Sequence, residues 1–168
     1  MTFLAFDQAA RVSGWSYWED GLPRKWGTIE SPGKYSGGQR LHYLREKFKA
    51  KIEEFNPDMI LIENPVGGEE DKYSGPENNW KTMQTLCQVQ GVLLEVIHEC
   101  GKEVEIISPS SWQNTCGIHK RNRTERKEGA CRFVQSTYGL SDIIQDIVDS
   151  ICIGYHYVRV NGLERSAF

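Results

Sequence analysis

Hydrophobic and polar residues alternate along the first part of the chain in a way that predicts three strands. Residues 2–6 form a short apolar run, and residues 12–21 alternate between apolar and small or polar side chains, as half-buried strands do. Gly21 and Pro23 supply a turn, after which residues 25–31 form a third strand. These three strands are therefore predicted to form an antiparallel meander.

The middle of the chain changes to a helical period. Apolar residues recur at spacings of three and four from about Gln39 to Phe55, and Asn56-Pro57 ends this helix. Residues 59–63 are a continuous apolar strand of the kind that is buried in a parallel sheet. An irregular stretch of residues 64–79 follows, and a stretch of this length is usually functional or disordered.

The last part of the chain is predicted to contain one strand and four helices. A long helix runs from about Trp80 to Cys100, and residues 103–108 form the fifth strand. Ser108 and Pro109 then open a short helix as N-cap and first helical residue. Two further helices are expected at about Thr124–Tyr138 and Ser141–Arg159.

These elements predict an α/β fold with a mixed five-stranded sheet, in which the meander is followed by parallel strands and helices cover both faces. The 168 residues are enough for a single domain, residues 1–168. In such a sheet the first and fourth strands are neighbours at their carboxyl edge, where open α/β sheets bind ligands. Asp7 and Glu63, which close these two strands, are therefore expected to meet.

Four carboxylates in this arrangement indicate a metal site. Asp7 and Glu63 close buried strands, where a charge is costly unless it is paired or bound to a cation. Asp146 and Asp149 are three residues apart and share one face of the last helix. Carboxylate oxygens are the ligands that Mg²⁺ prefers, so we predict that the four acids form a shared magnesium site.

Composition and charge narrow the functional classes. Hydrophobic residues at 39% and charged residues at 26% are typical of a globular protein, and no secretory signal or membrane span is visible, which favours the cytoplasm and no membrane partner. The five cysteines lack metal-ligand spacing and are expected to be reduced thiols. The net charge of −3 argues weakly against a nucleic-acid partner. However, five Lys or Arg in residues 119–127 and five in residues 40–51 form two basic segments. Such segments fit either a DNA-binding surface or a solvated helix face.

Four motifs are similar, in order and at plausible distances, to the RuvC family of Holliday junction resolvases, which have the ribonuclease H-like fold. The first motif resembles the family's first strand, which ends in an Asp and is followed by a Gly-aromatic pair. The second motif resembles the strand that carries the family's Glu. The third resembles the long helix, and the fourth the terminal pair of Asp residues. The four motifs are FDQAARVSGW (6–15), ILIENP (60–65), QVQGVLLEVI (88–97) and DIVDS (146–150). The resemblance spans nearly the whole chain and favours a phage-type member.

The resemblance implies a structure-selective endonuclease that resolves four-way or other branched DNA by paired symmetric nicks. Two metal ions, Mg²⁺ or Mn²⁺ in its place, would be held by four catalytic carboxylates, with Asp7 as the bridging ligand, Glu63 and Asp146 on one ion each and Asp149 beside Asp7. Residues expected to contact DNA phosphates are Lys120, Arg121, Arg123, Arg126 and Lys127.

The family commonly has an aromatic residue three positions after its Glu, near the junction. Val66 stands there in this chain, so Tyr73 or Trp80 is the candidate for that role. The resemblance also implies a homodimer, because two symmetric nicks need two active sites related by a two-fold axis. The candidate interface is the extra apolar width of the long helix, which comprises Met83, Leu86, Cys87, Leu94 and Val96.

Two alternatives remain open, because the carboxylates alone do not separate them from a resolvase. One is another nuclease of the same fold that acts on RNA–DNA hybrids or processes RNA. The other is a module that binds branched DNA without cutting it, against which the presence of all four carboxylates argues. A sugar kinase or ATPase of the actin type is rejected, because residues 7–14 lack its glycine-rich phosphate turn and the chain is too short for its second domain.

Overall fold

The structure is a computed structural model, and it describes residues 1–65, 76–119 and 122–163; for residues 76–79 it describes the backbone only. The described residues form five strands and five helices in one sheet-centred layer arrangement. The strands are β1 (Thr2–Asp7), β2 (Val12–Glu19), β3 (Leu22–Glu30), β4 (Met59–Glu63) and β5 (Glu103–Ile107). The helices are α1 (Gly37–Phe55), α2 (Pro76–Glu99), α3 (Pro109–Thr115), α4 (Arg123–Tyr138) and α5 (Gln145–Val160).

The strands form the predicted mixed sheet, in the order β3-β2-β1-β4-β5. The first three strands are an antiparallel meander, while β4 is parallel to both β1 and β5. Phe6 pairs with Ile62 in the parallel register, so β1 and β4 end side by side at one edge of the sheet. The expected meeting of Asp7 and Glu63 is therefore confirmed as a feature of the fold.

Two hydrophobic cores lie on opposite faces of the sheet, because successive side chains of β1 point to alternate faces. Leu4 and Phe6 belong to the core that α1 and α2 cover. Phe3 and Ala5 belong to the core that α3, α4 and α5 cover. All four of these side chains are buried, which explains why the first strand reads as a continuous apolar run.

Two predicted helix starts are wrong by four residues. Helix α2 begins at Pro76 rather than Trp80, which shortens the irregular stretch, most of which lies outside the described residues. Helix α5 begins at Gln145 rather than Ser141, because Asp142 has a left-handed backbone with φ of 58° and Ile144 is extended. The start of α3 is as predicted, with the Ser108 hydroxyl accepting a hydrogen bond from the backbone N–H of Ser111. None of the helices that the structure describes is long and apolar enough to cross a bilayer.

Candidate active site

Asp7 and Glu63 are held together at the carboxyl edge of the sheet by the residue that follows Asp7. The side-chain amide of the buried Gln8 accepts a hydrogen bond from the backbone N–H of Glu63 at 3.1 Å and donates one to its carbonyl oxygen. The amide of Gln8 thus continues the pairing between β1 and β4 for one more residue. Because both strand ends are fixed in this way, the two carboxylates project from a rigid edge.

Helix α5 brings Asp146 and Asp149 to the same edge through a close approach at Gly14. Gly14 pairs with Asp7 across β1 and β2, and a Cβ atom at position 14 would lie 1.8 Å from the backbone oxygen of Asp146. Real Cβ atoms essentially never approach other atoms so closely, so no side chain fits at position 14 without displacing the helix. The glycine therefore allows the first turn of α5 to lie directly beside Asp7.

A buried polar network fixes α5 further along its length. The Ser16 hydroxyl donates to the carbonyl oxygen of Ser150 at 3.0 Å and accepts from the indole N–H of Trp18 at 2.9 Å. Gly154 leaves room for the Trp18 indole, since a Cβ there would lie 2.3 Å from its ring. These contacts set both the depth and the rotation of α5 on the sheet, and hence the position of its two acids.

The carboxylates are close enough to perturb one another. Burial, as the largest cause, raises the pKa of Asp7 well above its ordinary value. The negative charges of Glu63, Asp149 and Asp146 raise this pKa further, and the positive charge of Lys127 acts in the opposite direction. Carboxylates from three separate segments, β1, β4 and α5, thus form one electrostatic cluster.

Glu63 and Asp149 are each affected by burial and by a hydrogen bond of their own. Burial raises the pKa of Glu63 to about 7, although the indole N–H of Trp112 donates to Oε1 of Glu63 at 2.7 Å and lowers it. Burial likewise raises the pKa of Asp149 to about 6, while the amide of Gln145 donates to Oδ1 of Asp149 at 2.7 Å and lowers it. The Cys131 thiol donates in turn to Oε1 of Gln145 at 3.4 Å. Each acid is therefore oriented by a neighbour that is not itself charged.

This donor set suits a divalent cation. It consists of carboxylate oxygens, which are the ligands of hard ions such as Mg²⁺, and mutual repulsion would be relieved by a bound positive charge. In the described part of the chain no three His, Cys, Asp or Glu side chains are gathered as closely as the ligands of a single ion are. Trp112 and Gln145 each hold one of the carboxylates in its own position by a hydrogen bond.

The predicted DNA-contacting residues are described only in part. Lys127 on α4 lies near enough to oppose the raised pKa of both Asp7 and Asp149, and Arg123 does the same for Asp149. Arg126 is partly buried and already makes an interaction within the protein. The remaining three candidates, Lys120, Arg121 and Tyr73, lie outside the described residues.

Four residues that shape the site were not predicted from the sequence: Gln8, Trp112, Gln145 and, as a packing position, Gly14. A signal existed for Gln145, which is four residues before Asp149 and so lies on the same helical face. In the sequence, Gly14 stands out only as half of a Gly-aromatic pair with Trp15. Nothing in the periodic pattern points to Trp112, which is 49 residues from Glu63 in sequence.

The sheet order and the acidic edge define the class of the protein as an α/β domain of the ribonuclease H-like fold. No protein-family profile matches the chain. The chain is 30% identical over 159 residues to the crossover junction endodeoxyribonuclease RuvC of Synechocystis sp., covering 90% of this chain and 87% of the relative. It is 25% identical over 166 residues to RuvC of Dictyoglomus turgidum, covering 94% and 97%. The chain therefore belongs to the RuvC family of crossover junction endodeoxyribonucleases.

Solved structures support the same fold. RuvC of T. thermophilus in complex with a Holliday junction substrate superposes with a TM-score of 0.74 at 12% identity, and the match covers 97% of each chain. The yeast mitochondrial Holliday junction resolvase Ydc2 superposes with a TM-score of 0.61 at 14% identity, covering 96% of this chain and 79% of that chain. These matches confirm the predicted ribonuclease H-like architecture.

Proposed function

We propose that the protein resolves four-way DNA junctions by metal-dependent hydrolysis of phosphodiesters, with Asp7, Glu63, Asp146 and Asp149 as the metal-binding acids. The observation that carries the proposal is the mutual effect of these carboxylates: three acids of β4 and α5 raise the pKa of Asp7, which is itself half-buried at the end of β1. Such a concentration of negative charge destabilises the folded state unless a cation or a substrate binds to it. Membership of the RuvC family supports the choice of a branched DNA substrate in the cytoplasm.

The donor set fits two Mg²⁺ ions, with Mn²⁺ as a substitute. When bound, such ions lower the pKa of the attacking water and stabilise the leaving 3′-oxygen. Asp7, at the centre of the cluster, is the acid best placed to be shared, and Glu63 and Asp146 flank it from β4 and α5. Trp112 and Gln145 hold Glu63 and Asp149 in fixed orientations, and such neighbours typically matter for metal affinity.

Cleavage of synthetic DNA tests this proposal. Four-way junction, fork, duplex and RNA–DNA hybrid are incubated with Mg²⁺ or EDTA, and we expect Mg²⁺-dependent paired nicks in the junction. Asp7→Asn and Glu63→Gln should abolish cleavage and retain junction binding, because these acids hold metal rather than DNA. The matched controls are Asp142→Asn, at an exposed position outside the cluster, and Glu103→Gln, at the opposite end of β5.

The outcomes separate the alternatives. Near wild-type cleavage by Asp7→Asn or Glu63→Gln would reject the site. Preferred cutting of the RNA–DNA hybrid would indicate another ribonuclease H-like nuclease. Junction binding with no cutting under any metal would indicate a non-cleaving DNA-binding module.

The basic segment beside the site is proposed to contact phosphates of the cleaved strand. Lys127 and Arg123 are both exposed and act electrostatically on the acids, so a phosphate bound at the acids would also lie within their reach. Replacing these two together with Lys120, Arg121 and Arg126 by Ala should weaken binding to all junction sequences and flatten its salt dependence. If the salt dependence of binding were unchanged, these basic residues would not contact DNA phosphates and would form only a solvated helix face.

The homodimer is part of the same proposal, since a two-fold axis would deliver two symmetric nicks. Helix α2 offers apolar surface that its own core leaves uncovered: Trp80 is 70% exposed, Cys87 is exposed and Met83 is partly exposed. Val96, by contrast, is completely buried in the core beneath α1 and α2, so its predicted place in the interface is wrong. Sedimentation should give twice the 19.2 kDa of one chain, and a monomer both free and on junction DNA would reject the dimer.

A further inference from the structure

The second basic segment of the sequence, residues 40–51, divides into two groups of cations in the structure. Arg45 lies 3.0 Å from carboxylate oxygens of both Glu46 and Glu95, and Lys49 lies 2.6 Å from Glu99. These cations join α1 to α2, and their charge is neutralised within the protein. Lys51 is likewise paired with Glu54 at 2.6 Å.

The other group faces away from α2 and continues into the loop before α1. Arg40 and Lys47 are seven residues apart and share a helical face with Tyr43. Arg11 and Lys34 are exposed on adjoining loops. Across the described ranges 1–65, 76–119 and 122–163, no carboxylate forms an ion pair with these four cations. We call this set the β3–α1 basic surface, which comprises Arg11, Lys34, Tyr35, Arg40, Tyr43 and Lys47.

Two tyrosines hold this surface in shape. The rings of Tyr35 and Tyr43 meet edge to face with centroids 5.5 Å apart. The ammonium group of Lys34 lies 6.0 Å from the Tyr35 ring, and that of Lys47 lies 5.4 Å from the Tyr43 ring. Contact with an aromatic face positions an ammonium group without neutralising its charge. The Arg40 guanidinium donates to the carbonyl oxygen of Tyr35 at 2.7 Å, which fixes the loop to the helix.

The surface begins at the edge of the sheet that carries the acids. The loop between β1 and β2 follows Asp7 directly, and two hydrogen bonds join it to the loop before α1. The Ser31 hydroxyl donates to the carbonyl oxygen of Ala10 at 2.7 Å, and the Ser31 backbone N–H donates to the carbonyl oxygen of Arg11 at 2.9 Å. Helix α1 lies on the sheet face opposite to α4, which carries Lys127. Cations therefore flank the acidic edge from both faces of the sheet.

We propose that the β3–α1 basic surface binds the phosphate backbone of a duplex DNA arm that extends away from the acidic edge. The inference rests on the proposed function for its substrate and adds a contact that is separate from the α4 side. From Arg40 to Lys47 the surface covers about 10 Å of helix axis, and the loop residues extend it toward the edge. Cations that have no carboxylate partner among the described residues complement a strand with a phosphate at every nucleotide.

A charge-matched pair of triple variants tests the surface. Arg11→Gln, Lys34→Gln and Lys47→Gln remove three positive charges from it, while Arg24→Gln, Lys25→Gln and Lys102→Gln remove one Arg and two Lys from the opposite edge of the sheet. Both variants change the net charge by the same amount, from −3 to −6, and remove it at different places. Of the control cations, Arg24 lies 4.0 Å from a carboxylate oxygen of Glu19 and Lys102 donates to Asn56, whereas Lys25 has no carboxylate partner among the described residues. Arg40 is left in place because it fixes the loop.

Binding to a junction with long arms is measured in EDTA over a range of salt concentrations. The surface variant should reduce the slope of log affinity against log salt by about 2–3, which corresponds to roughly 0.9 per lost phosphate contact, and the control variant should keep the wild-type slope. A surface variant that keeps the wild-type slope would overturn the proposal. An equal decrease in both would also overturn it, because net charge would then explain the effect.

A second measurement uses the wild-type protein and does not depend on how the variants fold. Lysines are acetylated with and without junction DNA, and mass spectrometry should show protection of Lys34 and Lys47 but not of Lys25 and Lys102. Unprotected Lys34 and Lys47 in the bound complex would overturn the proposal. Protection without any Mg²⁺-dependent cleavage would support this surface and reject the nuclease, so failures of the two proposals are distinguishable.

Discussion

The indole nitrogen of Trp112 on α3 donates a hydrogen bond to Oε1 of Glu63 at the end of β4, over 2.7 Å. This bond joins two elements that are far apart in sequence. It lowers the pKa of Glu63, whereas burial raises the same pKa. It therefore acts both on the orientation of Glu63 and on the fraction of Glu63 that is ionised and able to bind a cation.

Trp112→Phe is expected to weaken metal binding. The phenyl ring keeps most of the buried apolar volume but removes the donor, so the pKa of Glu63 should rise further and its side chain should lose a fixed orientation. A loss of about 10–100-fold in apparent Mg²⁺ affinity is expected, measured as the Mg²⁺ concentration that gives half-maximal junction cleavage. Trp26→Phe, at a partly buried position on β3, is the control. An unchanged Mg²⁺ requirement in Trp112→Phe would show that the indole N–H has no such role.

Gln145→Ala is expected to make cleavage more sensitive to acid. The amide of Gln145 lowers the pKa of Asp149, so its loss should move that pKa above about 6 and let protons compete more strongly with metal. As the pH falls from about 8 to about 6, the Mg²⁺ concentration needed for half-maximal cleavage should increase in both proteins, but more steeply in the variant. Gln135→Ala, at an exposed position on α4, should behave as wild type. Parallel pH dependences for Gln145→Ala and wild type would contradict this expectation.

Gly14→Ala is expected to displace α5 from the site. The added methyl group would overlap the backbone of Asp146, and relief requires movement of a helix that Ser16 and Trp18 fix elsewhere. Overpacking of this kind typically costs about 1–3 kcal/mol of unfolding free energy, measurable in urea. Cleavage should fall by about 100-fold, because displacement of catalytic groups by about 1 Å has effects of that size.

Gly38→Ala is the matched control, since a Cβ there meets nothing within 4 Å. It should retain both stability and cleavage. If Gly14→Ala also retained both, the close approach of α5 to β2 would not be what positions Asp146 and Asp149.

The places of the four acids in the strands and in the last helix could be predicted because each depends on a local sequence pattern. A continuous apolar run that ends in a single acid marks a buried strand end, as at Asp7 and Glu63, and a three-residue spacing places Asp146 and Asp149 on one helical face. The parallel register of β1 and β4 then follows from topology. Most of the architecture depends on patterns of this local kind, which is why the sheet was predicted correctly.

The remaining features depend on side-chain contacts between distant segments. The bond of Gln8 to Glu63 joins residues 55 apart, and its formation requires the parallel register that it extends. The cations of α1 look alike in sequence, yet Arg45 is paired with Glu95 of α2, whereas Lys47 pairs with no carboxylate among the described side chains and lies over the ring of Tyr43. The start of α5 depends on the left-handed backbone at Asp142, which helical periodicity does not reveal.

The metal-free protein is expected to lose stability as the pH rises. The pKa of Glu63 is raised from 4.5 to about 7 and that of Asp149 from 3.8 to about 6, in both cases mainly by burial. Below about pH 3 these groups are protonated in the folded and unfolded states alike, so they contribute no difference. Between these ordinary values and about pH 7 the folded state holds more protons than the unfolded state, so the free energy of unfolding falls with increasing pH. Above about pH 8 both groups are ionised in the folded and unfolded states, and their contribution no longer changes.

Thermal unfolding in EDTA from about pH 4.5 to about pH 8 measures this loss, which should be on the order of 3–6 kcal/mol for the two acids, since one pKa unit corresponds to about 1.4 kcal/mol. Glu63→Gln should be more stable than wild type at the upper end of this range, because it removes one of the repelling charges, while Glu103→Gln, at an exposed position of β5, should follow wild type. Adding Mg²⁺ at about pH 8 should stabilise wild type more than Glu63→Gln, since only the intact acid cluster gains the full binding free energy. A wild-type protein whose stability in EDTA is flat across this pH range, or that Mg²⁺ does not stabilise, would show that the four carboxylates do not form a shared cation site.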